Sequence, residues 1–150
     1  MYSNILVPLD GSEHAIKALN VAASLARGGA TKLHLMTVAE LPPDNIGLFA
    51  GGAVEPFSEV EREKLAASIK EEARKVIEQA RDAVDLSGLE VEESVRQGRP
   101  AALITEQAEK VNADVIVMGS RGLSNVRGMV FGSVSHKVSH TAGCSVITVT

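Results

Sequence analysis

Two kinds of hydrophobic spacing alternate along the chain. Short apolar runs suit buried strands, and longer stretches with an apolar residue every three or four positions suit helices. Asn4 to Leu9 is the first apolar run, closed by Asp10-Gly11-Ser12. Asp10-Gly11 is also a hairpin signal, but the residues after it have helical spacing rather than that of a second strand. Ile16, Leu19, Ala23 and Ala26 line one face of Glu13 to Ala26; Ser12 is placed to cap this helix, Glu13 suits its positive end and Gly28-Gly29 stops it. Lys32 to Ala39 then alternates as a strand, with Leu33, Leu35 and Thr37 on one face and His34, Met36 and Val38 on the other.

Residues 40–57 are rich in proline and glycine and have no regular period, so a long surface loop is expected, of a length that goes with function or mobility. Ser58 to Val84 carries the stripe Leu65, Ile69, Ala73, Val76, Ala80 and Val84, with a solvated charged face between. Leu89 to Arg96 is a weak strand whose many charges suit an edge or near-edge position. Gly98-Arg99-Pro100 opens a helix with proline in its first turn; Leu103, Ile104, Ala108 and Val111 form its stripe and Asn112 its stop. Asp114 to Met118 is the strongest buried strand, followed by a last helix over Ser133 to Ala142 and a last strand over Ser145 to Thr150. This alternation predicts an α/β fold, a parallel sheet with helices on both faces, as one domain over residues 1–150 without internal repeats.

Composition narrows the function classes. At 45% hydrophobic and 23% charged residues the chain is that of an ordinary globular protein, with 3% aromatics and no Trp. The core is therefore aliphatic, and the aromatic platforms of single-strand binders are missing. A net charge of −4 argues against a nucleic-acid partner, whose phosphates reward a basic face. It leaves room for a small anion held by local dipoles. No stretch approaches the length of a membrane span. A single cysteine, Cys144, allows no internal disulfide and reads as a small buried thiol, and Met1 to Pro8 lacks the charged leader of a signal peptide. A cytoplasmic protein is expected.

The candidate chemistry lies between the strongest strand and the last helix. Gly119-Ser120-Arg121-Gly122, nine residues, then Gly132-Ser133 make a G-x-x-G-x9-G-S pattern. Gly119 and Gly122 have no Cβ, so their amides can converge on an oxygen. Gly132, Ser133 and Val134 open a helix whose free amides and positive end favour an anion, and Ser133 adds a hydroxyl donor. Arg121 and Arg127 can add charge. Ligands of open α/β sheets settle at the carboxyl ends of strands, where strand order reverses. If the first and fourth strands are neighbours there, Asp10 shares the crevice with the glycine loop. No G-x-x-x-x-G-K-[ST] or G-x-G-x-x-G pattern is present.

At these residues the chain resembles the universal stress protein family, over essentially its whole length. The likeness rests on Val7-Pro8-Leu9-Asp10-Gly11-Ser12 and on Gly98-x-Pro100. It rests most firmly on Val115-Ile116-Val117-Met118-Gly119-Ser120-Arg121-Gly122 with Gly132-Ser133-Val134, the pattern of the ATP-binding branch. The resemblance implies a five-stranded parallel sheet of order 3-2-1-4-5 and a homodimer through the last strand, residues 145–150. It also implies ATP contacts: Pro8 and Asp10 beside the adenosine, Val38 offering its backbone to adenine, and Met118 and Gly119 flanking the ribose. Gly122, Gly132, Ser133 and Val134 would surround the phosphates. Where the family often has Ala-Pro-Cys-Pro before the last strand, this chain has Ala142-Gly143-Cys144-Ser145.

A carboxylate beside a triphosphate repels it, so Asp10 is expected to accept from ribose or adenine or to act through Mg²⁺, unless it merely caps the first helix. His136 and His140 have the spacing of a metal pair but no third ligand, and read as surface histidines. No G-x-S-x-G elbow supports nucleophilic hydrolysis. The expected function is an ATP-binding stress-response module in which nucleotide switches conformation or the choice of a protein partner. A slow Mg-dependent ATPase, with Asp10 and Mg²⁺ arranging water, is the first alternative. A nucleotide-free dimeric partner-binding module is the second.

Overall fold

The structure, a computed structural model, describes residues 1–40, 58–122 and 132–150. Most of the loop expected over 40–57, together with Arg127, lies outside the described residues. Through the described chain run β1 (Asn4–Pro8), α1 (Glu13–Ala26), β2 (Lys32–Ala39), α2 (Glu59–Ala83), β3 (Glu90–Gln97), α3 (Pro100–Lys110), β4 (Val115–Gly119), α4 (Ser133–Thr141) and β5 (Ser145–Val149). The strands form one parallel sheet in the order β3-β2-β1-β4-β5, which is the expected 3-2-1-4-5.

Helices cover both faces of the sheet because the strand residues alternate. Ile5, Val7, Leu33, Leu35, Val115 and Val117 pack with the small buried face of α1 and with Ile77 and Ala80 of α2. Leu6, Met36, Ile116 and Met118 turn the other way, onto Ala101, Ile104 and Ala108 of α3 and Val138 of α4. The central strands are fully enclosed, Ile5, Leu6, Val7, Ile116 and Val117 each being 0% exposed. Truncating one of the larger of these to Ala would cost about 2–5 kcal/mol.

Local chemistry sets the helix ends. Ser12 Oγ accepts from Ala15 N at 3.2 Å to cap α1, and Ser58 with Glu61 forms a reciprocal capping box on α2. α1 ends at Ala26 with Arg27 as its cap, just before Gly28-Gly29. Asn112, at φ 52°, follows α3 in the left-handed conformation that ends helices. Several buried positions fall off the expected stripes: Ile77 in α2, and Ala101 and Gln107 in α3, are buried, whereas Leu103 and Val111 are half-buried. Cys144, expected to be buried, is half-buried because β5 lies at the sheet edge, where cover is incomplete.

The amino end of the sheet is closed by polar pairs. Asp114 Oδ2 accepts from the amides of Ser3 (2.7 Å) and Asn4 (2.8 Å), tying the start of β1 to the start of β4. His34 Nε2 lies 3.0 Å from Asn4 Oδ1, and its Nδ1 lies 3.4 Å from Glu92. Lys32 reaches Glu90 at 3.0 Å and Glu92 at 2.9 Å. These bonds hold Lys32 above the usual lysine range, with Glu92 the largest cause.

Candidate functional site

The carboxyl end of the sheet opens because neighbouring strands stop at different heights. β1 and β4 pair only through Ile5 with Val115 and Leu6 with Ile116, whereas β4 stays with β5 as far as Gly119 opposite Val149. Above Leu6, β1 and β4 diverge at the point where strand order reverses, and a crevice opens there. On its other side β1 pairs with β2 as far as Pro8 opposite Met36, and Leu9 N then donates to Met36 O at 2.7 Å.

β2 continues past that point. In a parallel strand, alternate residues direct both N–H and C=O to the same neighbour. Met36 bonds toward β1, and Ala39 O accepts from Gly98 N on the β3 side. Val38 therefore directs its main-chain donor and acceptor toward the side that β1 has left. That is a ready edge for a heterocycle.

The two halves of the glycine pattern meet despite the nine residues between them. Gly132 N donates to Ser120 O at 2.6 Å, and Ser135 Oγ donates to Ser120 O at 2.8 Å and to Gly132 O at 3.0 Å. Ser120 N in turn donates to Val149 O at 2.8 Å, seating the loop on β5. Glycine is required where elements press together. A Cβ on Gly119 would stand 2.7 Å from His14 Cβ and 2.9 Å from its carbonyl carbon, so glycine lets α1 approach β4. A Cβ on Gly122 would stand 2.7 Å from Asp10 Oδ2, which shows that Asp10 and Gly122 face each other across the crevice.

Asp10 Oδ1 accepts from Ser12 N at 2.9 Å, which fixes the carboxylate while Oδ2 faces Gly122. The capping of α1 belongs to Ser12 rather than to Asp10. At α4 the N-cap is Gly132, which has no side chain to accept from the first turn. The leading amides of α4 thus have no side-chain cap, unlike those of α1 and α2, and the helix dipole adds partial positive charge there.

Pro8, Asp10, Val38, Met118, Gly119, Arg121, Gly122, Gly132, Ser133 and Val134 all line one cavity of about 730 Å³, within the usual range for small-molecule sites. The cavity straddles the tips of the strands. Met36, Ile104, Met118 and Val134 border it from the α3/α4 face, and Leu9, Ile69, Ala73 and Val76 from the α1/α2 face. Sequence reasoning missed the α2 contribution, since half-buried Ile69 and Val76 look like any stripe residues. It also missed Thr37, whose buried hydroxyl has no hydrogen-bond partner among the described residues.

The ionisable residues lining the cavity are Asp10, Glu40, Glu72 and Arg121, an excess of acid. Backbone dipoles rather than side-chain charge would have to hold an anion, and a polyphosphate would need a cation. The donors suit one: Mg²⁺ is commonly held by one or two carboxylates together with substrate phosphates. Among the described residues no group of three or more His, Cys, Asp and Glu could hold a metal by itself. His136 and His140 pack edge to face with ring centroids 4.5 Å apart, on the exposed side of α4.

The sequence matches the model of the universal stress protein family over residues 1–150. It is 38% identical over 150 residues to a universal stress protein of Thermus aquaticus, covering 99% of both chains. It is 32% identical over 149 residues to one of Bacillus subtilis, again covering 99% of each. The fold is similar to that of a universal stress protein from Lactobacillus plantarum, with TM-score 0.79 at 24% identity over 99% of this chain and 98% of that one. Two further solved structures are each 26% identical to this chain. One, a universal stress protein in complex with cAMP, has TM-score 0.61 and coverage of 99% and 97%. The other, from Archaeoglobus fulgidus in complex with dAMP, has TM-score 0.57 and coverage of 99% and 98%.

Proposed function

The chain belongs to the universal stress protein family, and from that premise we propose that it is an ATP-binding regulatory module of the stress response. The observation that carries the reading is the joined glycine pattern. Its two halves close beside an uncapped helix N-terminus, opposite Asp10, in a cavity that also presents the main chain of Val38. Related proteins solved with cAMP and dAMP share the adenine and phosphate that such a site would read.

In this reading the base lies along the Val38 backbone and the adenosine rests against Pro8 and Asp10. Met118 and Gly119 flank the ribose. The amides of Gly122, Gly132, Ser133 and Val134 hold the phosphates, with Ser133 Oγ and Arg121 adding donors. Asp10 together with the phosphates would hold a Mg²⁺, which would offset the repulsion between that carboxylate and the polyphosphate. Asp10 is held by the amide of Ser12, which in this reading supports a binding role rather than turnover. Nucleotide therefore acts as a switch, biasing conformation or the choice of a protein partner, in the cytoplasm.

A homodimer through β5 belongs to the same proposal. β5 is a terminal strand of the sheet and its Val146, Ile147, Thr148 and Val149 are half-buried, an apolar edge that a second copy would cover. Ser120 N is bonded to Val149 O on the β4-facing side of β5, so the glycine loop is tied to the strand that would form the seam, and in this reading nucleotide is felt there through β5.

The test begins with the purified protein, denatured to release small molecules and then titrated with Mg-ATP while melting is followed. Released adenine nucleotide, or a melting temperature that rises with Mg-ATP, is expected. Absence of both would leave a nucleotide-free dimeric module. Accumulation of ADP during incubation, abolished by Gly122→Val, would move the reading to a slow ATPase. Ile147→Asp is expected to halve the mass measured by light scattering; an unchanged mass would remove β5 as the seam.

A further inference from the structure

Among the described residues, the cavity lining includes one buried polar group without a hydrogen-bond partner that none of these roles explains. Thr37, in β2 just before Val38, lines the cavity and is 4% exposed. Its Oγ1 is buried and has no hydrogen-bond partner among the described residues. A buried hydroxyl without a partner is costly, and native proteins rarely keep one without a use for it. The cavity lining on that side is mainly apolar, Leu9, Ile69, Ala73 and Val76, with Glu72 its one carboxylate, and none of these bonds the hydroxyl.

We propose that Thr37 is a base-binding residue, whose hydroxyl bonds a polar edge atom of the nucleobase held along the main chain of Val38. The inference rests on the nucleotide reading above and adds a contact to it. Three points support it. Thr37 shares the face of Leu33 and Leu35, so its side chain stands on the α1/α2 side of the strand whose next residue presents its backbone to the crevice. A base lying on Val38 would pass within reach of residue 37. The adjoining apolar residues suit the faces of a heterocycle but leave its edge heteroatoms unanswered. A hydroxyl both donates and accepts, so it can meet a ring nitrogen or an exocyclic amine. One step between staggered χ1 wells exchanges the enclosed oxygen with the methyl group, at little cost to a group that has no bond to break.

The contact has a signature that a structural threonine would lack. In Thr37→Val the hydroxyl becomes a methyl of similar size, so the ligand-free protein loses an unpaired buried polar group while the complex loses a hydrogen bond. Wild type, Thr37→Val and Thr37→Ser would each be titrated by calorimetry with adenosine, AMP and Mg-ATP, and their ligand-free melting recorded. Thr37→Val is expected to weaken all three ligands alike, by about three- to tenfold, with ligand-free melting equal to or above wild type. Thr37→Ser should bind as wild type does. Equal affinities for wild type and Thr37→Val would overturn the inference, as would a fall in ligand-free melting, which would mean that the hydroxyl is bonded within the protein. Loss of affinity for Mg-ATP alone would also overturn it, by placing the effect at the phosphates. If wild type binds none of the three, the nucleotide reading itself has failed, and this inference with it.

Discussion

The two ends of the sheet use their polar groups in opposite ways. At the amino end Asp114 takes the amides of Ser3 and Asn4, His34 sits between Asn4 and Glu92, and Lys32 joins Glu90 and Glu92. Each group there is answered by another in the chain. At the carboxyl end Val38 turns its backbone toward a strand that has left, α4 begins on a glycine that cannot cap it, and Thr37 Oγ1 has no partner among the described residues. Satisfied polar groups hold an architecture together, whereas unanswered ones around a cavity mark a candidate site. The same α/β frame supplies both ends, so the difference lies in where strands stop and which residues follow them.

The sharpest way to break this comparison is to fill the open end. In Gly122→Val a Cβ would meet Asp10 Oδ2 at 2.7 Å, and the branched side chain would occupy the place proposed for phosphate. Affinity for Mg-ATP is expected to fall by about a hundredfold or more. Melting should fall only modestly, because the atom it meets belongs to a side-chain carboxylate rather than to backbone, although that carboxylate is held by the amide of Ser12. Calorimetry and melting on one preparation would check both.

The amino end should respond the other way round. Asp114→Ala leaves the amides of Ser3 and Asn4 without their acceptor. The variant is expected to melt at a lower temperature and to bind Mg-ATP as wild type does. A change in affinity would mean that the two ends are coupled.

A smaller effect is expected from pH. Burial holds His34 below the usual imidazole range, and this outweighs the opposing pull of Glu92. Below about 6.5, the ordinary value, the unfolded chain takes up a proton that the folded chain resists. Stability contributed by neutral His34 is therefore present above that pH and lost as pH falls toward the lower folded value. In His34→Gln, melting recorded between pH 7.5 and 5.5 should show a shallower slope than wild type.

Much of this was legible in the sequence. The alternation of Leu33, Leu35 and Thr37 with His34, Met36 and Val38 placed both faces of β2, and Ser12 and Pro100 marked helix starts. The glycine spacing marked the turn after β4 and the start of α4, but not that the two halves meet, which the bond from Gly132 N to Ser120 O shows. What could not be read depends on three-dimensional neighbours. Periodicity finds an apolar stripe but not which residues another layer covers, so Ile77 and Gln107 came as buried surprises and Cys144 as a half-exposed one. The crevice itself arises from unequal pairing, β1 leaving β4 after Leu6 but β2 only after Pro8, and no single segment encodes that. Thr37 reads as one more residue on an inward strand face. Only the structure shows that its hydroxyl has no partner among the described residues.

The contrast between the two ends can be read in one titration. Backbone amide resonances of the uniformly ¹⁵N-labelled protein would be followed as Mg-ATP is added. The account predicts that Val38, Gly119, Gly122, Ser133 and Val134 shift and saturate together, while Asn4, Lys32 and Glu92 stay in place. Unmoved resonances at the glycine loop, or shifts confined to the amino end, would contradict it.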